Sequence, residues 1–251
     1  MMEPRLVLLD LDGTLHEHGV AVPGAARAVV ELRRAGHTVR VFTNTDSLSE
    51  AGLVDRIRRS GIPVAAGEVF SPVVAAKRLL PPDARPLILA DPAVRDDLAG
   101  HARPATPAEA THVVIADCRR TLDYRSLDAA FQAVQAGAEL LALQHGRYFR
   151  AADGNHLDTG AIVAAIEFAT GKQSRILGKP SPDFLRLAAH DAPGEVWVVG
   201  DDRTTDILMA NTAGATSVQV RTGKHADQQN ADDLPHPTHT IDSIADLPSL
   251  F

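Results

Sequence analysis

Runs of four or five apolar residues alternate with longer segments of helical periodicity through most of the chain. This pattern predicts an α/β protein built on a parallel sheet. Leu6–Leu9 is apolar at every position, as a strand covered on both faces must be. A helix is expected over 24–35, with Pro23 at its entrance and Gly36 at its exit, then a strand at Thr38–Phe42 and a helix over 49–60 closed by Gly61. Another helix is expected over 72–80, and Pro81-Pro82 then punctuates the chain and marks a boundary. A second series follows: strand 87–90, helix 94–99, strand 112–116, helix 127–136, strand 139–143, a strand at 147–150 before the turn Ala152-Asp153-Gly154-Asn155, and helix 160–170 ending at Gly171. After 174–177 come a helix over 181–189 entered by Ser-Pro, a strand at 196–199, a helix over 204–213 and a strand at Thr216–Val220. The polar tail from Thr222 reads as loop until a strand at 238–241, and no internal repeat interrupts the series.

Three of the apolar strands stop at polar residues of a particular kind. The first ends in Asp10-Leu11-Asp12-Gly13-Thr14, the second in Thr43-Asn44, and the strand at 196–199 in Gly200-Asp201-Asp202. Residues two apart in an extended backbone point to one side, so Asp10 and Asp12 are expected to face one pocket. Two neighbouring carboxylates resist joint ionisation unless a cation or a proton separates them. That suits a magnesium site with a nucleophile beside an acid/base; the plainer alternative is a polar turn in which Asp serves as a cap. In an open parallel sheet, ligands bind outside the carboxyl ends of the strands, which would gather these groups despite their distance in sequence. Gly178-Lys179-Pro180, just before a capped helix, adds a cation. Together the set holds the parts of a phosphoryl-transfer site: an attacking carboxylate, a second one to protonate the leaving oxygen, donors for the equatorial oxygens, and hard ligands for Mg²⁺.

Composition narrows the classes. With 251 residues and 45% hydrophobic content the chain can fill one large domain or two modest ones. Its 32 acidic against 25 basic residues, net charge -7 and lack of a basic run speak against a nucleic-acid partner. Cys118 is the only cysteine, which excludes an intramolecular disulfide and suits a reducing compartment. No signal peptide is evident at Met1-Met2-Glu3-Pro4-Arg5, and no apolar stretch approaches the roughly 18–20 residues that cross a bilayer. A cytoplasmic protein without a membrane partner is expected.

On these residues the chain resembles the phosphatases of the haloacid dehalogenase (HAD) superfamily. Asp10-Leu11-Asp12-Gly13-Thr14-Leu15, Thr43-Asn44, Gly178-Lys179-Pro180 and Gly200-Asp201-Asp202 look like its four motifs. Val22-Pro23-Gly24-Ala25, the continuation Ser181-Pro182 and the run from Gly200 to Asp206 narrow the resemblance to the type IIA, NagD-like branch. Residues 159–170 and Val220-Arg221-Thr222-Gly223-Lys224 look like segments of the domain-2-type HAD hydrolases and the phospholysine phosphohistidine inorganic pyrophosphate phosphatases. Nearly the whole chain is covered.

The resemblance implies a discontinuous Rossmann-like catalytic core with a parallel sheet, residues 1–80 and 174–251, and an inserted α/β cap of the C2 type, residues 81–173. Asp10 would be the nucleophile that forms an aspartyl-phosphate, and Asp12 the general acid/base. Thr43 and Asn44 would hold the phosphoryl group, and Lys179 would neutralise it together with Asp10. Mg²⁺ would be bound by Asp10, the Asp12 carbonyl and Asp201, with Asp202 and Asp206 behind them as indirect partners. The cap would select a small phosphorylated substrate, with His145 and Arg147 the available contacts, and could pair two copies into a homodimer.

Other features have plainer readings. His16-x-His18 is expected to be solvated rather than a metal site, and Cys118, which lacks an adjacent acid/base pair beyond Asp117, is expected to be structural. Gly171-Lys172-Gln173 lacks the residues of a P-loop. Four further functions compete with a metabolite phosphatase. A phosphohistidine, phospholysine or pyrophosphate phosphatase would share its site. Dehalogenation needs neither the metal nor Asp12. A phospho-acceptor signalling module uses similar residues in another order. A non-catalytic ligand-binding protein would not need the full acid set.

Overall fold

The computed structural model describes residues 3–103, 105–151, 153–192, 194–228 and 230–251. Two compact units emerge: Met1–Thr43 with Ala51–Phe70 and Lys179–Phe251, and Asn44–Glu50 with Ser71–Gly178.

In the first unit, six parallel strands lie in the order His239–Ile241, Thr216–Val220, Val196–Gly200, Leu6–Leu9, Thr38–Phe42, Val69–Phe70. Leu6–Leu9 is fully buried between its two neighbours, and its register places Leu9 beside Val199 and Val41. Chain order reverses here, because the first strand is flanked by the second and by one that comes much later. The crevice at such a switch point is where an open α/β sheet places its ligand. Asp10 and Asp201 follow the two strands that form it. Helix Ala25–Arg34 buries Ala25, Ala28, Val29 and Leu32 at its i, i+3, i+4, i+7 positions. Beneath the carboxyl end of the sheet, Phe42 stacks on Phe184 at 4.4 Å, and Phe70 packs on Phe184 at 5.3 Å.

The second unit carries a four-stranded parallel sheet in the order Arg175–Ile176, Glu139–Ala142, His112–Ile115, Pro86–Leu89. Helices Tyr124–Gln135 and Thr159–Thr170 supply Ala130, Val134, Val163 and Ile166 to its core, against Leu89, Val113, Ile115 and Leu140. The expected strand at 147–150 proves to be one half of an antiparallel hairpin, Tyr148–Ala151 with Gly154–Leu157. Ala152, in the expected turn, lies outside the described residues.

The units divide at 70/71 and 178/179 rather than at the Pro-Pro pair and residue 174. Helix Pro72–Leu79, capped by Ser71, goes with the second unit because its Lys77 pairs with Asp97 and Glu50 of that unit. Arg175–Ile176 goes there too, since it pairs with Glu139–Ala142. Among the described residues no helix is long and apolar enough to cross a membrane.

Candidate active site

Asp10 is placed by the sheet itself: its backbone N–H donates to the Val199 carbonyl at 2.9 Å, continuing the ladder one residue past Leu9. The chain then coils at once. The N–H groups of Leu15 and His16 both donate to the Leu11 carbonyl, at 2.9 and 2.7 Å, and Gly13 N–H donates to His16 O at 2.7 Å. Gly13 sits at φ 103°, and a Cβ there would lie 2.2 Å from Asp201 Oδ2. Glycine is therefore needed both for the turn and for the approach of Asp201.

The second acid run is shaped by its own capping. Asp202 accepts from Thr204 N at 2.8 Å and opens a wide turn over Arg203–Ile207, in which Ile207 N–H reaches back to Asp202 O at 3.3 Å. This winding turns Asp206 back toward the strand end, so closely that a Cβ on Gly200 would meet its Cγ at 2.2 Å. The result is three buried carboxylates, Asp10, Asp201 and Asp206, each offering an oxygen within 4.8 Å of the others.

Lys179, itself buried, donates to Asp10 Oδ1 and, at 2.7 Å, to Asp206 Oδ1. Its Nζ lies 5.8 Å from the centre of the Phe42 ring, which packs with Phe70 and Phe184. Burial pushes Asp10 well above the ordinary carboxylate range, partly opposed by Lys179 and reinforced by Asp206 and Asp201. Asp201 is pushed to about 6 by burial and by Asp206, and Asp206 is raised by burial. Lys179 shows the reciprocal effect: burial lowers it, but Asp10 and Asp206 outweigh burial and hold it firmly protonated.

With all three acids ionised, the one ammonium would leave two negative charges uncompensated, and Asp10 Oδ2 is buried with no hydrogen-bond partner among the described residues. Hard oxygen donors and that charge deficit match what a divalent cation takes.

Not every residue singled out in the sequence joins this cluster. Asp12 is not one of the three clustered carboxylates, because the coil at Leu11 replaces the extended backbone that the expectation assumed. Its half-exposed carboxylate instead meets Arg56 Nη2 at 2.8 Å. Asp202 turns away to Lys224 Nζ at 2.6 Å, Gln228 Nε2 at 2.8 Å and Thr204 Oγ1 at 2.6 Å. Burial would raise it, yet Lys224 and these hydrogen bonds prevail and hold it below the ordinary range. Thr43 is buried and donates its N–H to Phe70 O at 3.2 Å. Asn44 belongs to the second unit, where a Cβ on Gly178 would come within 2.8 Å of its Oδ1.

His145, in the second unit, stands 3.5 Å from Glu167, and Arg147 has an exposed side chain. His16 is not solvated as expected: it is buried, with Nε2 bonded to Ser60 Oγ, while His18 is exposed. Cys118 is buried, and its thiol is pushed up to about 11, far from reactive.

The sequence reading singled out residues 220–224 but gave no part in the site to this loop, which closes the first unit's acid cluster. Thr222 Oγ1 donates to Gly13 O at 2.6 Å, and Lys224 N–H donates to Asp201 Oδ2 at 2.7 Å. Arg203 locks this loop by donating to the carbonyls of Gln228, Ala231, Leu234 and Pro235 at 2.6–3.0 Å. The one available signal was Thr222-Gly223-Lys224, a glycine beside a cation within an otherwise polar tail.

A family model described as haloacid dehalogenase-like hydrolase matches residues 7–102, and one described as HAD-hydrolase-like matches residues 176–247. The chain is 34% identical over 251 residues to haloacid dehalogenase-like hydrolase domain-containing protein 2 of Rattus norvegicus, covering 96% of this chain and 95% of that one. It is 34% identical to the phospholysine phosphohistidine inorganic pyrophosphate phosphatase of Bos taurus, covering 96% and 90%. Its fold matches p-nitrophenyl phosphatase from Archaeoglobus fulgidus with a TM-score of 0.89 at 23% identity, covering 98% of both chains. A glycerol phosphate phosphatase from Mycobacterium tuberculosis, solved in complex with magnesium, matches with a TM-score of 0.84 at 28% identity, covering 97% of this chain and 75% of that one.

Proposed function

This chain belongs to the haloacid dehalogenase-like hydrolases, and we propose that it is a Mg²⁺-dependent phosphatase acting on a small phosphorylated metabolite through an aspartyl-phosphate on Asp10. The observation that carries the proposal is the state of the Asp10 carboxylate. One oxygen is held by Lys179; the other is buried without a partner among the described residues, at the carboxyl end of the central strand. A carboxylate so held is a nucleophile with one oxygen to spare.

In this reading the spare oxygen attacks phosphorus in line with the leaving oxygen. Lys179, Thr43 and Asn44 hold the phosphoryl oxygens, and Asp12 protonates the leaving group. Asp12 then takes a proton from the water that hydrolyses the acyl phosphate, which regenerates Asp10. Asp10, Asp201 and the Asp12 carbonyl would hold the Mg²⁺, and the position of Asp206 suits a nearer part than the indirect one first expected. Bound there, the ion would neutralise the acids and the charge developing on the transferred group. Selection among substrates is assigned to the second unit, with His145 and Arg147 as the first positions to exchange.

The metal assignment is supported by the uncompensated charge of the acid cluster and by the magnesium complex of the mycobacterial relative. The phosphatase assignment is supported by the names of the bovine and mycobacterial relatives. The test is hydrolysis of p-nitrophenyl phosphate with added Mg²⁺ and with chelator, using the unchanged protein and Asp10→Asn. Turnover should depend on Mg²⁺ and vanish in the variant, and acid-quenched protein should carry a phosphoryl group only when Asp10 is present. Full activity in Asp10→Asn would end the proposal. A panel that includes glycerol phosphate, pyrophosphate and phosphohistidine then orders the substrates.

A further inference from the structure

Arg56 carries no motif and lies forty-four residues from its partner, yet it is the one cation paired with Asp12 among the described residues. We propose that Arg56 is the positioning residue of Asp12. It fixes one carboxylate oxygen so that the other faces the leaving group; this rests on the reading of Asp12 as the acid/base.

The geometry is a double clasp within the first unit. Arg56 and Ser60 stand four apart, at one turn's spacing along the end of helix Glu50–Arg59, and so address the same side. Asp12 and His16 also stand four apart, drawn together by the coil at Leu11 and the Gly13 N–H to His16 O bond of 2.7 Å. Arg56 Nη2 meets Asp12 Oδ1 at 2.8 Å, and Ser60 Oγ bonds His16 Nε2 while donating to Ile57 O at 2.6 Å. His16 is buried, so this second clasp is anchored in the packed interior. The turn that bears the acid is thereby held against the helix at two points.

A carboxyl group that must deliver a proton along one direction needs its plane fixed. A guanidinium on Oδ1 does this and leaves Oδ2 as the oxygen that carries the proton. In the first half-reaction an Asp10 oxygen–phosphorus bond forms and the phosphorus–leaving-oxygen bond breaks, while the proton passes from Asp12 to the departing oxygen. A positioned general acid contributes on the order of 10²–10⁴-fold, and it matters most where the leaving oxygen is basic. Nitrophenolate departs with little help. An unsubstituted phenolate does not.

The experiment measures kcat/KM, which reports the step in which the leaving group departs, for a series running from p-nitrophenyl to phenyl phosphate. Arg56→Ala should lower the value for phenyl phosphate by about tenfold and leave p-nitrophenyl phosphate within about twofold, steepening the dependence on leaving-group basicity. Arg56→Lys, which keeps the charge but loses the planar fork, should recover part of the loss. A structural role would lower both substrates alike, and that result, or no loss on either, overturns the proposal. Asp12→Asn in parallel tells the two readings apart. If its dependence on leaving-group basicity matches that of the unchanged protein, the assignment of Asp12 fails. If Asp12→Asn steepens it and Arg56→Ala does not, the role of Arg56 alone falls.

Discussion

Asp46 is a buried acid outside the metal-type cluster, and its protonation bears on stability. Burial pushes it up to about 7; the hydrogen bond from Thr159 Oγ1 at 2.7 Å opposes this, while Asp158 and Asp117 add to it. An unfolded chain releases this proton near 3.8, so the folded state binds it more tightly. The stability tied to Asp46 is therefore complete below pH 4 and is lost as pH rises toward 7, in all about 4 kcal/mol at roughly 1.4 kcal/mol per unit. Asp46→Asn keeps an oxygen for Thr159 and removes the charge. It should match the unchanged protein at pH 4 and melt higher at pH 8, and a melting series against pH checks this. At this scale the sequence was a good guide where an acid follows directly after a strand, as at Asp10 and Asp201, which meet in the cluster. It was poor where the backbone geometry decides. Asp12 follows a coil that no alternation rule describes, and Asp206 reaches the cluster only through a wide turn inside an ordinary-looking helical pattern.

Among the elements, the strands were readable because a parallel strand covered on both faces must be uniformly apolar, which Leu6–Leu9 and Val196–Gly200 are. Val69–Phe70 escaped notice because two residues carry no period, and its place is set by pairing with Val41 and Phe42. The same limit hid the hairpin His16–Glu17 with Val20–Ala21. The tail after Thr222 is the clearest case: its polar composition reads as loop, and it is loop for most of its length, but much of its order comes from one distant side chain. Arg203 is buried and serves four carbonyls of that segment. At about 0.5–1.5 kcal/mol for each hydrogen bond, Arg203→Ala should destabilise the protein by about 2–6 kcal/mol. It should also weaken Mg²⁺ binding, since the loop delivers Lys224 N–H to Asp201 and Lys224 Nζ to Asp202. Calorimetric titration with Mg²⁺ alongside thermal melting would show both effects. An unchanged metal affinity in a destabilised variant would mean that the loop supports only the fold.

For the molecule as a whole, a net charge of -7 is modest, and the electrostatic load falls on one place. Asp10, Asp201 and Asp206 converge from positions almost two hundred residues apart, so the cluster exists only when the chain is folded. Lys179 offsets one charge, and burial holds the acids above their ordinary range instead of letting them ionise together. A divalent cation would bind that folded arrangement and find no equivalent in the unfolded chain, so by mass action it must raise stability. The gain is about 2.7 kcal/mol at a hundredfold excess over its dissociation constant. Melting in millimolar Mg²⁺ should therefore occur at higher temperature than melting in chelator. The increment should grow with pH between about 4 and 7, because protons compete with the metal for acids whose folded affinity for them is raised. Asp201→Asn should shrink the increment without abolishing the fold, since one ligand charge is lost while the Lys224 N–H keeps an oxygen to bond. A melting temperature indifferent to Mg²⁺ across that pH range would mean that the acids are held by protons and Lys179 alone.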